Sequence, residues 1–167
     1  MVPPDPRDRR RTKTKPASTS PVRTQPSSDD AHKIVYFRRH PDDDSTEAAP
    51  GREFLRKTPA KVRATMQATL NAVAAAPPKR FSGGGYWEAM HGDMTGWFEV
   101  RVDGPRDRTH FRLFCRLDYD AVGEEKPLLV IITGLSKAFR TTLSDADYAG
   151  VRTLGDEYFA RNPRSWG

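Results

Sequence analysis

The spacing of the apolar residues changes once along this chain, at the glycines Gly83–Gly85, and this change limits the possible folds more than any other feature. Before the glycines, apolar side chains recur every three or four residues, which is the spacing of one helix face. These residues are Val62, Met66, Leu70 and Val73. After the glycines, apolar and polar side chains alternate from Trp97 to Asp103 and again from His110 to Leu117, as in half-buried strands. Helices followed by paired strands predict an α+β fold.

The N-terminal half of the fold is predicted to contain one strand and two helices. Ile34–Phe37 is a short run of β-forming residues. Residues 51–76 have the pattern of a helical hairpin, with Thr58 as the expected N-cap of the second helix and Pro59 as its first residue. The glycines that follow do not precede a helix signal, so we interpret them as a flexible hinge.

The C-terminal half is predicted to contain three strands and a helix. Asp103–Asp107 carries the turn residues of a hairpin connection between the two alternating segments. Leu128–Thr133 is apolar on both faces, as expected of a strand that is covered on both sides. Ser144 and Asp147 form a capping-box pattern at the start of the last helix. We therefore expect an N-terminal strand and a helical hairpin packed on a small antiparallel sheet, followed by a C-terminal helix.

Composition separates a tail from this domain. Residues 1–31 contain six prolines, many Ser and Thr and almost no large apolar side chains, so they cannot bury enough surface to offset the entropy of ordering. We predict a disordered, basic, Pro/Ser-rich tail over residues 1–31 and one folded domain over residues 32–163. The first 33 residues carry +4 of the formal net charge of +6. A nucleic-acid function of the domain must therefore depend on how its charges are arranged.

Several functional classes are excluded by what the sequence lacks. Cys115 is the single cysteine, which excludes a disulfide scaffold and a Cys-based zinc finger. The four histidines do not have metal-ligand spacing, and no P-loop, dinucleotide-binding or G-x-S-x-G motif occurs. We expect neither a metal nor a cofactor. No apolar run approaches the ~18–20 residues of a membrane span, and no secretory signal is recognised, so a cytoplasmic protein without membrane association is expected.

The alternating segments place cations on one face of the predicted sheet. Glu99 and Arg101 share one side of the first strand, and His110, Arg112 and Arg116 share one side of the second. The third strand is followed by two more cations, Lys137 and Arg140. Arginine binds phosphate through two parallel N–H groups, and His110 or a tyrosine could exchange a proton. Two interpretations stay open: a phosphate-binding face, or ordinary solvated charges paired with Glu99.

Four segments in this order resemble the RelE/ParE superfamily of type II toxin–antitoxin toxins, specifically its HigB-like, phage-derived branch. They are Trp97–Arg101 (WFEVR), His110–Phe114 (HFRLF), Ile131–Lys137 (IITGLSK) and the helix that begins at Ser144. The resemblance covers about residues 33–161. Trp87-Glu88 offers a second register for the tryptophan motif, but Trp97 opens the cleaner alternating run.

The resemblance implies a small ribosome-dependent mRNA endonuclease that is neutralised by a cognate antitoxin, usually a helix-turn-helix protein. Its partners would be mRNA and the ribosome. The implied catalytic residues are Arg101, Arg112, His110 and Lys137, and the implied RNA contacts are Arg116, Arg140 and Trp97. The alternatives are a gyrase-directed, ParE-like toxin and a non-catalytic module that binds nucleic acid or protein.

Overall fold

Three helices and a five-stranded mixed sheet form the α+β fold of this chain in the computed structural model, which describes residues 26–76, 85–104, 106 and 108–167. The elements are β1 (Lys33–Tyr36), α1 (Pro50–Lys57), α2 (Ala60–Ala75), β2 (Trp87–Ala89), β3 (Trp97–Gly104), β4 (Thr109–Asp118), β5 (Leu128–Ala138) and α3 (Asp145–Phe159). A short 3-10 helix, Gly92–Met94, precedes β3. The predicted α+β class is confirmed.

The sheet is mixed, which corrects the expected antiparallel sheet. Its strand order is β1-β5-β4-β3-β2. The pairs β2–β3, β3–β4 and β4–β5 are antiparallel, whereas β1 runs parallel to β5, with Lys33 opposite Leu128. The helical hairpin and three strands separate β1 from β5 in the chain. The two strands are therefore not joined by a tight β-turn, which would make them antiparallel.

The edge strand β2 is absent from the predicted order. It has three residues, too few to show an alternating pattern, and it pairs with residues 98–100 of β3. The Trp87 ring is buried and stacks on Phe98 with 4.9 Å between ring centroids. Both candidate tryptophan motifs therefore lie in strands, next to each other.

The helical hairpin packs on one face of the sheet as expected, with one local correction. The Thr58 hydroxyl donates to the carbonyl oxygen of Leu55 over 2.8 Å, so it closes α1 instead of capping α2. Pro59 is the N-cap residue of α2, one position after the predicted N-cap. α2 packs on β3 and β1, and its apolar stripe is buried in one core cluster with Val100, Leu113, Cys115 and Ile131.

The opposite face of the sheet is covered by α3, but only over one half. Ser144 and Asp147 form the predicted capping box at the start of α3. Val151 and Tyr158 of α3 belong to the second core cluster, together with Trp97, Phe114 and Ile132. The other half of this face, at the C-terminal end of β3 and the start of β4, carries the polar residues. β5 is an interior strand between β1 and β4, and its residues 128–132 are fully buried, as its apolar sequence predicts.

The close contact between α3 and the sheet depends on Gly155. A Cβ atom at this position would lie 2.4 Å from Cζ2 of Trp97, and the indole is itself buried. We expect Gly155→Ala to destabilise the fold by about 1–3 kcal/mol, the usual cost of overpacking a core. Gly150→Ala in the same helix is the control, since a Cβ there meets nothing within 4 Å; it should stabilise the fold by about 0.5–1 kcal/mol. Urea unfolding curves measure both, and equal effects would contradict the packing argument.

Packed segments extend beyond both predicted domain boundaries. At the N-terminal side, the Lys126 ammonium donates to the backbone oxygens of Ser28 and Asp30. At the C-terminal side, Trp166 forms a bridge with Phe37, and the Gly167 N–H donates to the Tyr36 oxygen over 3.0 Å. The predicted tail up to residue 25, the end of the hairpin at residues 77–78, the hinge at residues 83–84, and residues 105 and 107 of the β3–β4 connection lie outside the described residues.

Within the described segments, no helix has both the length and the apolar composition that crossing a membrane requires.

Candidate functional site

On the α3 side of the sheet, five polar side chains of β3 and β4 lie together. The register places Arg101 directly opposite Arg112, and Asp103 opposite His110. Glu99 lies on the same face, two residues before Arg101. We call Glu99, Arg101, Asp103, His110 and Arg112 the arginine row. Their shared face confirms the alternation expected for both strands.

Arg101 lies at the edge of the row, between two carboxylates. Its Nη1 is 2.5 Å from Oε2 of Glu88 in β2, and its Nε is 3.6 Å from Oε1 of Glu99. Hydrogen bonding to Glu88 raises the pKa of Arg101. Since the guanidinium has five N–H groups, donors remain for a ligand when both carboxylates are in place.

Asp103 links the two residues of β4. Its Oδ1 lies 2.7 Å from Nδ1 of His110 and 3.3 Å from Nη1 of Arg112. The hydrogen bond from His110, followed by that from Arg112, lowers the pKa of Asp103. Because an ionised carboxylate only accepts, His110 donates from Nδ1, which leaves Nε2 as the nitrogen that can exchange a proton with a ligand. The ring is also held by stacking on Phe139, at 4.6 Å between centroids.

Glu99 differs from the other acids of the row because it is largely buried. Its side chain is 14% exposed, and it lies opposite the fully buried Phe114. Burial raises its pKa, although Arg101 and Arg112 oppose the shift. Tyr148 of α3 packs edge-on against Phe114, and burial together with the Glu99 charge raises the pKa of its hydroxyl. A carboxylate with a raised pKa beside two arginines is suited to accept a proton.

Two predicted site residues lie at the margin of the row. Lys137 of β5 is opposite His110, and its Nζ is 3.4 Å from Oδ2 of Asp147. Arg140 is exposed in the turn after β5, with a positive φ of 66°. The structure therefore brings Lys137 next to the row and leaves Arg140 at its rim.

Trp97 is buried and Arg116 is half-buried, so neither lies on the open part of the face where RNA contacts are predicted. Trp97 is 3% exposed beneath α3. The guanidinium of Arg116 lies between aromatic rings, 5.2 Å from the centroid of Trp97 and 4.8 Å from that of Phe159, and its Nε is buried. Both residues are on the predicted face of the sheet, but on the half that α3 covers, so they stabilise the packing of α3.

A cleft of about 520 Å³ opens beside the row, at the edge of β3 beyond the end of β2. Its walls come from α2, from the residues before β2 and from the arginine row. The lining residues are Lys61, Val62, Thr65, Gly85, Tyr86, Arg101, Val102, Asp103 and Arg112. The cleft gives an extended ligand a path to both arginines.

Glu99 and Tyr148 are the site residues that sequence reasoning missed. The alternating pattern places Glu99 on the correct face. From the sequence, however, its carboxylate is expected only to form ion pairs with the arginines. The signal that could have identified Glu99 is its position opposite Phe114, since a carboxyl group across from a large apolar residue is expected to be desolvated. Tyr148 lies in the predicted C-terminal helix, where no sequence motif marks it. Its place beside Glu99 depends on tertiary packing.

The arrangement can bind a phosphodiester with proton-exchanging groups on either side. At about 3.3 Å of rise per residue, Glu99 and the Asp103–His110 pair lie about 7 Å from the arginine pair, in opposite directions along the strands. Among the residues that the structure describes, no three His, Cys, Asp or Glu side chains are grouped as metal ligands would be. The side chains of the row offer charge stabilisation and proton transfer.

Comparison of the chain with protein-family models, with curated proteins and with solved structures gives no match.

Proposed function

We propose that this chain is a RelE-like toxin of a type II toxin–antitoxin system, of the HigB-like branch, and that it cleaves mRNA in a ribosome-dependent way without a metal ion. The α+β fold with a helical hairpin, a strand meander and a C-terminal helix supports this proposal. Its targets would place it in the cytoplasm. An antitoxin, by the resemblance a helix-turn-helix protein, would be its inhibitory partner.

The observation that carries the proposal is the position of the arginine pair between Glu99 and His110. Displacement at phosphorus needs the attacking and leaving oxygens roughly in line, on opposite sides of the phosphoryl group. A phosphate bound to Arg101 and Arg112 would have Glu99 on one side and His110 on the other. The row thus supplies the three groups that this reaction requires.

The proposed reaction uses the RNA's own 2′-hydroxyl group as the nucleophile. Glu99 takes the 2′ proton, and the 2′ oxygen forms a bond to the neighbouring phosphorus. Arg101 and Arg112 donate hydrogen bonds to the non-bridging oxygens, whose negative charge increases. The bond from phosphorus to the 5′ oxygen breaks, and protonated His110 donates a proton from Nε2 to that oxygen. The products are a 2′,3′-cyclic phosphate and a free 5′-hydroxyl group, so atoms and charge balance.

The remaining predicted residues have supporting roles in this proposal. Lys137 adds positive charge next to His110, although its pairing with Asp147 reduces its effect. Tyr148, which packs on Phe114 opposite Glu99, would help to exclude water from the carboxyl group. Arg140 is free to contact RNA beyond the reacting phosphate.

The test is to produce the protein in growing cells and to map RNA 5′ ends within minutes. New 5′-hydroxyl ends in phase with codons are expected for the unmodified chain. Arg101→Ala and Arg112→Ala should each reduce cleavage by about 10²–10³, the usual effect of removing a transition-state donor. Arg56→Ala is the control, because this exposed arginine belongs to α1, on the opposite face of the sheet. DNA breaks without new RNA ends would instead indicate a gyrase-directed toxin, and cleavage by folded double variants would refute this site.

A further inference from the structure

An exposed aromatic ring stands at the entrance of the cleft beside the arginine row. Tyr86 is 54% exposed, and the two other large hydrophobic side chains that are exposed in the described part of the chain, Tyr119 and Val122, lie elsewhere. The backbone of Tyr86 is held in place, since its carbonyl oxygen accepts a hydrogen bond of 2.7 Å from the Arg101 N–H. An aromatic ring on a fixed backbone is a surface on which a flat group can stack without a large loss of side-chain entropy.

The charge of the cleft is predominantly positive. Lys61, Arg101 and Arg112 line it together with one carboxylate, that of Asp103. Lys61 is exposed in the first turn of α2, across the cleft from the row, and the structure shows no ion pair for it among the described residues. In an RNA strand that runs from the two arginines along the cleft, the next phosphate group would lie near the Lys61 ammonium group.

We propose that the cleft binds one nucleotide of single-stranded RNA next to the reacting phosphate, with Tyr86 stacking on its base and Lys61 contacting its far phosphate. This inference rests on the proposed function and adds the strand state of the substrate. The volume of about 520 Å³ is in the range of small-molecule sites. A base inside a duplex is stacked on both sides and cannot offer its face to Tyr86, so the geometry selects unpaired RNA.

The lining favours a nucleotide over a segment of a protein. A peptide that docks in a groove needs apolar pockets for its anchoring side chains. The apolar lining residues Val62 and Val102 are both buried, so the ring of Tyr86 is the main apolar surface that the cleft offers. One ring and several cations are what nucleic-acid-binding proteins use to bind a single strand without reading its sequence.

The experiment measures the affinity of the full chain for a labelled RNA octamer whose 2′-hydroxyl groups are all methylated, so that cleavage by 2′-OH attack is blocked. Fluorescence anisotropy is recorded for the octamer alone and for the octamer as the messenger of a programmed ribosome. Tyr86→Ala should raise Kd about tenfold, within the range measured for one stacked base, whereas Tyr86→Phe should bind like the unmodified chain. Tyr119→Ala is the matched control, since this tyrosine is 63% exposed beyond the other end of β4.

The salt dependence tests Lys61 separately. Each phosphate contact on single-stranded RNA contributes about 0.7 to the slope of log Kd against log salt concentration. Lys61→Ala should reduce the slope by about 0.7 for the free octamer, and Lys57→Ala, an exposed lysine of α1 outside the cleft, should not change it. The corresponding duplex should bind more weakly than the single strand.

The possible outcomes separate this inference from the proposed function. If the unmodified chain cleaves RNA while Tyr86→Ala and Lys61→Ala bind the octamer normally, or if the duplex binds as tightly as the single strand, the cleft assignment is wrong and the toxin proposal stands. If the unmodified chain neither cleaves RNA nor binds the octamer in either setting, both proposals fail. Thermal unfolding of each variant confirms that it is folded, which both exposed positions should allow.

Discussion

Replacing Glu99 with glutamine should lower the rate of RNA cleavage by about 10²–10⁴, the contribution usual for a general acid or base. Glutamine keeps the size of the side chain but cannot accept the 2′ proton. The fold should be preserved, because burial disfavours the charged form of Glu99 and glutamine removes that charge. The rate is measured in single turnover with mRNA on purified ribosomes. Glu88→Gln, which removes the other carboxylate partner of Arg101, is the matched control and should retain most of the activity.

The same variant is expected to change the pH profile of cleavage. Glu99 accepts a proton only when it is ionised, and burial raises its pKa. In the unmodified chain, the rate should therefore rise with pH through a value above the ordinary Glu pKa of about 4.3. Glu99→Gln should lose this acidic limb. If the limb stays unchanged in Glu99→Gln, another group accepts the proton and the assignment of Glu99 is wrong.

Replacing Asp118 with alanine should have the largest effect on stability, a loss of about 3–5 kcal/mol. Asp118 lies at the end of β4, where its Oδ2 accepts from Nε of Arg164 at 2.9 Å and from the Tyr158 hydroxyl at 2.8 Å. The two charged side chains are 1% and 8% exposed. Alanine would leave the Arg164 charge buried without its partner. Urea unfolding measures the loss.

An exposed ion pair provides the comparison for Asp118. Arg38 and Glu47 are 3.0 Å apart, with side chains 48% and 40% exposed, so Glu47→Ala should cost only about 0–1 kcal/mol. Burial works to raise the pKa of Asp118, but its hydrogen bonds prevail and the pKa is lowered. The contribution of Asp118 to the free energy of unfolding is thus present at neutral pH. It is lost as the pH falls below the ordinary Asp pKa of about 3.9. Asp118→Asn should show a weaker loss of stability in that range. If Asp118→Ala costs about as little as Glu47→Ala, the role of the buried pair is contradicted.

The parts of the fold that follow from local pattern could be predicted from the sequence. The stripe of α2, the alternation of β3 and β4 and the capping box of α3 each depend on residues close together in the chain. β2 is too short to show an alternating pattern. The parallel pairing of β1 with β5 joins segments that are far apart in the chain, and the sequence of neither segment indicates its partner. Pairing over such distances is decided by which apolar faces can be buried together.

The candidate site shows the same division. Alternation places Arg101 and Arg112 on one face, and the register then sets them opposite each other. It also places Trp97 and Arg116 on this face. The two-residue alternation of the sequence does not show that α3 covers one half of the face. The raised pKa of Glu99 depends on the same cover, so the sequence predicts the phosphate-binding residues better than the proton acceptor.

The pairing of β1 with β5 has a consequence for how the protein is made. Lys33 and its partner Leu128 are 95 residues apart in the chain. At synthesis rates of about 5–20 residues per second, β1 waits about 5–20 s for the strand beside which it packs. Contacts this far apart in sequence also form slowly. β3 and β4 can pair earlier, yet β5 and α3, which complete the core around the arginine row, come last. A working site is therefore expected only after α3 has been synthesised.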